Sequence, residues 1–186
     1  MITLHFDGLY RKVTAKDDLS SEAGLMCYGW LISRDGIIIG RGHGGYARNK
    51  DATSNVAEYL AMIEGLEALL DMGLEKEAIE VIGDARSIIE QMQGTACVSS
   101  PRVRPLYQRA SRIARRFPNL RWTWAPRRYN HEADQLTRRA LRQIRAGYGR
   151  QLAALEQMIQ DGQKKGRKKQ GFLPLLDLRV FQPARL

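Results

Sequence analysis

Three strand-like runs precede the first helix of this chain, and after that helix short strands and helices alternate; this order restricts the fold more than any other feature. Residues 2–7 alternate, with Ile2, Leu4 and Phe6 on one side and Thr3, His5 and Asp7 on the other, as in a half-buried strand that Asp7-Gly8 then breaks. The apolar runs GLMCYGWLIS (24–33) and GIIIGRG (36–42) are parted by Arg34-Asp35 with Gly36 next, a hairpin signal. In TSNVAEYLAMIEGLEALLDMG, Val56, Leu60, Ile63, Leu66 and Leu70 recur at helical spacing until Gly73 stops them. IEVIG (79–83) reads as a short strand, and Ala85–Met92 as a short helix ended near Gly94. Ser99-Ser100-Pro101 opens a helix running to about Phe117; Arg121–Ala125 is a last strand, and Asn130 caps a long helix from about His131. A meander followed by alternating units predicts an α/β fold, with a mixed five-stranded sheet, three strands antiparallel and then parallel ones, flanked by helices.

After about Ile144 the pattern changes. Gly147 and Gly149 interrupt the helix, and QLAALEQMIQDG (151–162) sets Leu152, Leu155, Met158 and Ile159 on one face. GQKKGRKKQG (162–171) is a basic, low-complexity linker, and FLPLLDLRVFQPARL (172–186) closes the chain as a short apolar tail. The expected organisation is therefore a domain over 1–146 and a C-terminal extension over 147–186. No run approaches the ~18 consecutive apolar residues of a membrane span, and MITLHFDG lacks the zones of a signal peptide. The expectation is a soluble cytoplasmic protein with no membrane partner. Cys27 and Cys97, far apart and in no C-x-x-C, read as buried reduced thiols.

Charge is divided along the chain. Residues 1–100 hold 9 Lys/Arg against 15 Asp/Glu, whereas residues 101–186 hold 21 against 5. Between 101 and 146 every basic residue is arginine, whose planar fork suits phosphate, so a polyanionic partner is expected; a solvated basic face is the alternative.

Four acids stand at element ends or in first helical turns: Asp7, Glu58, Asp84 and Asp134. An acid in a first turn ordinarily complements the helix dipole, which accounts for Glu58 or Asp134 taken singly. Asp7 and Asp84 are different, because apolar strands deliver them next to the interior, where an unpaired carboxylate is costly. Either a cation or a hydrogen-bonding partner must meet Asp84, and the pair together asks for a divalent cation.

Phe6-Asp7-Gly8, Thr53-Ser54-Asn55-Val56-Ala57-Glu58, Ile82-Gly83-Asp84 and Asn130-His131-Glu132-Ala133-Asp134-Gln135-Leu136 follow one another in the order of a known pattern. Over about residues 1–144 the chain resembles type 1 ribonuclease H, in its shorter branch, since Gln93–Phe117 has room for one helix and no basic protrusion. The resemblance implies a ribonuclease H-like fold in which Asp7, Glu58, Asp84 and Asp134 bind two Mg²⁺ or Mn²⁺ ions. Two hard cations about 4 Å apart activate water and stabilise a leaving oxygen at once. It also implies an endonuclease that cuts the RNA strand of an RNA/DNA hybrid, leaving 5′-phosphate and 3′-hydroxyl ends. RNA is told from DNA by its 2′-hydroxyl in a wide, shallow minor groove, and the resemblance puts Asn55 there, assisted by the backbone near Gly8 and Leu9. Arginines of the 101–128 region would serve the DNA strand's phosphates.

The chain departs from the family pattern in several places. Leu9 and RKVTAKDDLSSEAG stand where a small residue and a short turn are usual, and Ala85 replaces a common Ser. Trp124 occupies the position of a loop histidine, leaving Arg127, Arg128 or His131 as substitutes and Arg127 and Arg128 as candidate substrate contacts. His5 and His43 read as structural or exposed, and Trp122 and Trp124 as core. Three alternatives stay open: a nuclease for double-stranded RNA or a junction, a non-catalytic nucleic-acid module on the same fold, and a protein whose business is docking a protein or nucleic acid through 147–186.

Overall fold

The computed structural model describes residues 1–12, 24–48, 51–147 and 172–182. The helix expected over 151–162 and the linker over 162–171 lie outside them, as does most of RKVTAKDDLSSEAG. Strands β1 (Ile2–Lys12), β2 (Gly24–Arg34) and β3 (Ile37–Arg48) form an antiparallel meander. Asp35 (φ 50°) and Gly36 (φ 81°) both take the left-handed conformation that a two-residue hairpin turn requires. Helix α1 (Ser54–Asp71) starts at Thr53, whose hydroxyl accepts the Val56 N–H at 3.2 Å. It ends at Gly73, where the Leu74 and Gly73 N–H groups return to the Leu69 and Leu70 carbonyls at 3.1 and 2.9 Å.

Strand β4 (Ile79–Gly83) runs parallel to β1, and β5 (Leu120–Trp124) parallel to β4. Helices α2 (Arg86–Gln93) and α3 (Arg104–Ala114) lie between them; a 3-10 turn (Arg127–Tyr129) leads into α4 (His131–Gly147). The five expected strands have the expected order and directions. The C-terminal tail adds a sixth, β6 (Leu173–Phe181), antiparallel to β3, giving the order β5-β4-β1-β2-β3-β6.

Alternation along the strands builds two cores. Leu4, Phe6, Met26, Tyr28, Trp30 and Ile32 face α1, and the intervening Leu25, Cys27 and Ala47 face α4 through Ala140, Leu141 and Ile144. β6 is tied in by polar groups. Arg179 pairs with the buried Glu64 of α1 at 2.7 Å, with Asp71 at 2.8 Å and with Asp177 at 3.3 Å. Tyr46 donates to Glu64 and Tyr28 to Asp177, while Phe181 stacks on Trp30 with ring centroids 6.1 Å apart.

Several local expectations are corrected. β1 does not break at Asp7-Gly8 but continues to Lys12, paired throughout with β2. α3 begins at Arg104 rather than near Pro101, because Pro105 has no N–H and its ring clashes with the carbonyl four residues back, so it must sit in the first turn. Both cysteines are free, but Cys97 is exposed in the loop after α2. Among the described residues no helix is long and apolar enough to cross a membrane.

Candidate active site

The parallel ladder between β1 and β4 ends at His5 opposite Ile82. Two residues further along each chain stand Asp7 and Asp84, so the two carboxylates emerge on neighbouring strands about 4.8 Å apart, where β4 ends. Glu58 comes from α1, and Gly8 makes that approach possible. A Cβ on Gly8 would lie 2.3 Å from the Glu58 nitrogen and 2.4 Å from the Ala57 carbonyl carbon, so any side chain would push the helix away. Instead the Gly8 N–H donates to Glu58 Oε2 at 3.1 Å. Carboxylate oxygens of Asp7, Glu58 and Asp84 all lie within 4.8 Å of one another. Asp7 Oδ2 is buried with no hydrogen-bond partner among the described residues.

Helix α4 sets the fourth acid beside this group. The Asn130 amide donates to the Phe6 carbonyl at 2.7 Å and its oxygen faces His5 Nδ1 at 3.3 Å, so the residue expected as a cap also fastens α4 to β1. The Thr137 hydroxyl donates to the Asp7 carbonyl at 3.0 Å. Asp134, in the first turn, is held between the Arg127 guanidinium and Arg138 Nε, the latter at 2.6 Å.

The electrostatics separate Asp134 from the other three. Burial, reinforced by the charges of Asp84 and Asp134, pushes the Asp7 carboxyl up to about 7. Burial and then Asp7 and Asp84 raise Glu58 well above its ordinary value, and burial raises Asp84 although Arg127 opposes it. For Asp134 burial also pushes upward, but Arg138 and Arg127 outweigh it and hold the carboxyl below its ordinary value. Three crowded acids that resist ionisation, one with an orphaned buried oxygen, form a hard-oxygen donor set suited to a divalent cation.

Other expected residues fall at varied distances from this centre. Asn55 is exposed in the first turn of α1, one turn before Glu58 on the same side, and Thr53 rather than Asn55 is the cap. Arg127 touches Asp134, whereas the Arg128 guanidinium turns away to lie 4.8 Å from the Tyr129 ring centroid. Trp122 packs against the core, as expected, but Trp124 is 43% exposed and donates from its indole N–H to the Asp84 carbonyl at 3.1 Å. His43 is buried and bonded to Gln143 at 2.7 Å. Besides Arg127, four arginines of the 101–128 region pair with acids: Arg102 with Asp51, Arg109 with Glu67, Arg116 with Glu75 and Arg121 with Glu80. Sequence reasoning passed over Arg138 and Thr137; Arg138 was detectable, since it follows Asp134 by one helical turn.

A family model described as reverse transcriptase-like matches residues 19–140. The chain belongs to that family. This reverse transcriptase-like chain is similar to ribonuclease HI of Halobacterium salinarum, 34% identical over 138 residues, which are 74% of this chain and 62% of that protein. It is also similar to the bifunctional protein Rv2228c of Mycobacterium tuberculosis, 37% identical over 90 residues, 48% of this chain and 24% of that one. The chain thus spans less than two thirds of the length of these curated relatives. Among solved structures, RNase H1 of Halobacterium salinarum superposes with a TM-score of 0.62 at 33% identity, covering 75% of this chain and 96% of that one. LC11-RNase H1, solved in complex with an RNA/DNA hybrid, gives 0.64 at 28%, covering 77% and 99%. The reverse transcriptase-like chain has the type 1 ribonuclease H fold, with the single helix α3 and no protrusion between α2 and β5.

Proposed function

We propose that the protein is a metal-dependent endonuclease that hydrolyses the RNA strand of RNA/DNA hybrids, leaving 5′-phosphate and 3′-hydroxyl ends. The observation that carries this reading is the meeting of Asp7, Glu58 and Asp84 where β4 ends, with Asp7 Oδ2 lacking a hydrogen-bond partner among the described residues. These three, with Asp134 beside them, would hold Mg²⁺ or Mn²⁺, two ions in all. When bound, such cations supply the charge that makes water nucleophilic and stabilises the leaving oxygen.

The remaining roles belong to the chain itself. Gly8 lets α1 approach and orients Glu58 through its N–H, while Asn130 and Thr137 fix the β1 backbone on either side of Asp7. Arg127, reaching from the turn before α4 to Asp134, is placed to donate to a phosphate brought against the acids. Asn55, exposed beside Gly8 and Glu58, is the residue to read a 2′-hydroxyl in a shallow minor groove. Arg128, exposed on the same turn, contacts the sugar-phosphate backbone. The free thiols and the absence of a membrane-spanning helix among the described residues accord with a cytoplasmic setting.

The test is a cleavage assay on end-labelled RNA/DNA hybrid, double-stranded RNA and each single strand, with Mg²⁺ or EDTA. The RNA strand of the hybrid is cut only with metal, and Asp84→Asn leaves it intact. Cleavage in EDTA removes the metal reading. Equal or faster cutting of double-stranded RNA removes the hybrid preference.

A further inference from the structure

On the flank of α4 facing the β2–β3 hairpin lies a groove of about 510 Å³. Leu31 and Leu136 contribute its apolar surface, and Arg41, Arg138, Arg139 and Arg142 line it, with Glu132 the single acid. Arg109 of α3 and Arg116, just beyond its end, are neutralised by acids of α1 and the loop after it. Arg41, Arg139 and Arg142 have no carboxylate partner among the described residues, so their charge faces solvent. Their field reaches the interior: burial lowers the pKa of His43, and Arg139 and Arg41 lower it further against the Gln143 hydrogen bond.

We infer that this groove seats a stretch of phosphodiester backbone of the nucleic acid held at the acidic cluster. Guanidinium forks grip phosphate in bidentate fashion, and several converging on one concave surface fit a repeating anion better than an isolated one. The groove is continuous with the cluster through Arg138, which lines it and also bonds Asp134. A helix with its side chains is about 10–12 Å across. Cluster and groove are the two flanks of α4, so one duplex spans both. The inference rests on the nuclease reading and adds a place that holds the substrate away from the scissile bond. It also moves the main phosphate contacts from α3, where the sequence alone puts them, to α4 and β3.

The experiment is fluorescence anisotropy of a 30-base-pair RNA/DNA hybrid with the full chain in EDTA, over a series of NaCl concentrations. Each phosphate contact contributes about 0.9 to the slope of log affinity against log salt. Arg41→Ala/Arg139→Ala/Arg142→Ala reduces the slope by about two to three and weakens binding at low salt by tenfold or more. The charge-matched Arg104→Ala/Arg112→Ala/Arg115→Ala variant on α3 changes it by less than about one. Equal losses in the two variants, or none in the first, overturn the groove. A fold-independent check uses wild-type protein, in which the hybrid protects Arg139 and Arg142 from phenylglyoxal, read by mass spectrometry; equal labelling with and without hybrid also overturns it. If the wild type cleaves hybrid with Mg²⁺ while the groove variant keeps its slope, the groove fails and the nuclease reading stands. A wild type that does not bind hybrid sinks both. A groove variant that loses polyglutamate but not hybrid assigns the surface to an acidic protein and overturns the inference.

Discussion

Asp7, Glu58 and Asp84 press one another toward the protonated state, because three carboxylates share a volume with little water. Removing one charge should therefore relieve the metal-free protein. Asp84→Asn is expected to melt a few degrees above wild type in EDTA while losing metal-dependent cleavage, since Asp84 raises both neighbours. A melting point well below wild type would mean that Asp84 is held by a structural partner. Gly8→Ala tests the contact that delivers Glu58. Its Cβ would fall 2.3 Å from a backbone nitrogen, which has no flexible end to yield, so a loss of about 3 kcal/mol in urea unfolding is expected. Stability equal to wild type would show that α1 can move away from β1. The four acids were legible because each stands where an apolar run stops or a helix starts. The embrace of Asp134 by Arg127 and Arg138, and the grip of Asn130 on β1, were less so. Asn130 and Phe6 are 124 residues apart, and local sequence does not state how α4 docks.

Elements announced by local chemistry, such as the Asp35-Gly36 hairpin and the Thr53-to-Gly73 helix, form as the sequence predicts. The second half of β3 and all of β6 were hidden. The expected run stops at Gly42, yet a Cβ at Gly44 would lie 2.0 Å from the Leu176 carbonyl and one at Gly42 2.3 Å from the Trp30 ring. These glycines make room for neighbours that only the folded sheet brings. β6 is an edge strand with exposed residues on both faces and Pro174 near its start, so it carries little alternation. What makes it integral is Arg179 on Glu64. Burial raises the Glu64 pKa, although Tyr46 and Arg179 oppose that shift. An acid whose folded pKa lies above its unfolded value costs nothing at low pH, and stability falls as pH rises through that interval. Arg179→Ala removes the compensating charge, so its cost should be small near pH 4, below even the ordinary carboxyl range that Glu64 exceeds, and reach about 3–5 kcal/mol at pH 8. Urea unfolding at the two pH values measures this; equal losses at both would show that Arg179 contributes packing alone. Truncation after Ala146 removes the same guanidinium and uncovers β3, and it should lower the melting point rather than merely weaken binding.

Across the whole molecule the uneven charge of the sequence is partly cancelled in space. Arginines from the second half return to acids of the first, as in Arg109 with Glu67, Arg116 with Glu75 and Arg121 with Glu80. Counting charges along the chain does not show this pairing, which leaves fewer free guanidinium groups in the 101–128 region than the number of arginines suggests. Exposed pairs of this kind contribute about 0–1 kcal/mol each and are screened by salt, so they arrange the field more than they stabilise the fold. The acids beside the end of β4 stay uncompensated, as do the arginines beside α4 and β3 and, at α3, Arg104, Arg112 and Arg115, which have no carboxylate partner among the described residues. A cation that binds only the folded acids must then stabilise the whole domain by mass action, about 2.7 kcal/mol at a hundred times its Kd. For a domain of this size that corresponds to roughly 5–10 °C in Tm. Titrating Mg²⁺ into EDTA-treated protein should raise Tm by about that amount, while NaCl at matched ionic strength leaves it unchanged or slightly lower. Asp84→Asn should lose most of the shift, because it starts less repelled and offers one ligand fewer. Arg179→Ala should keep it despite its lower starting Tm, since β6 lies at the opposite edge of the sheet from β4 and β5. An equal rise with NaCl, or an undiminished rise in Asp84→Asn, would mean that the acidic cluster is not where the cation binds.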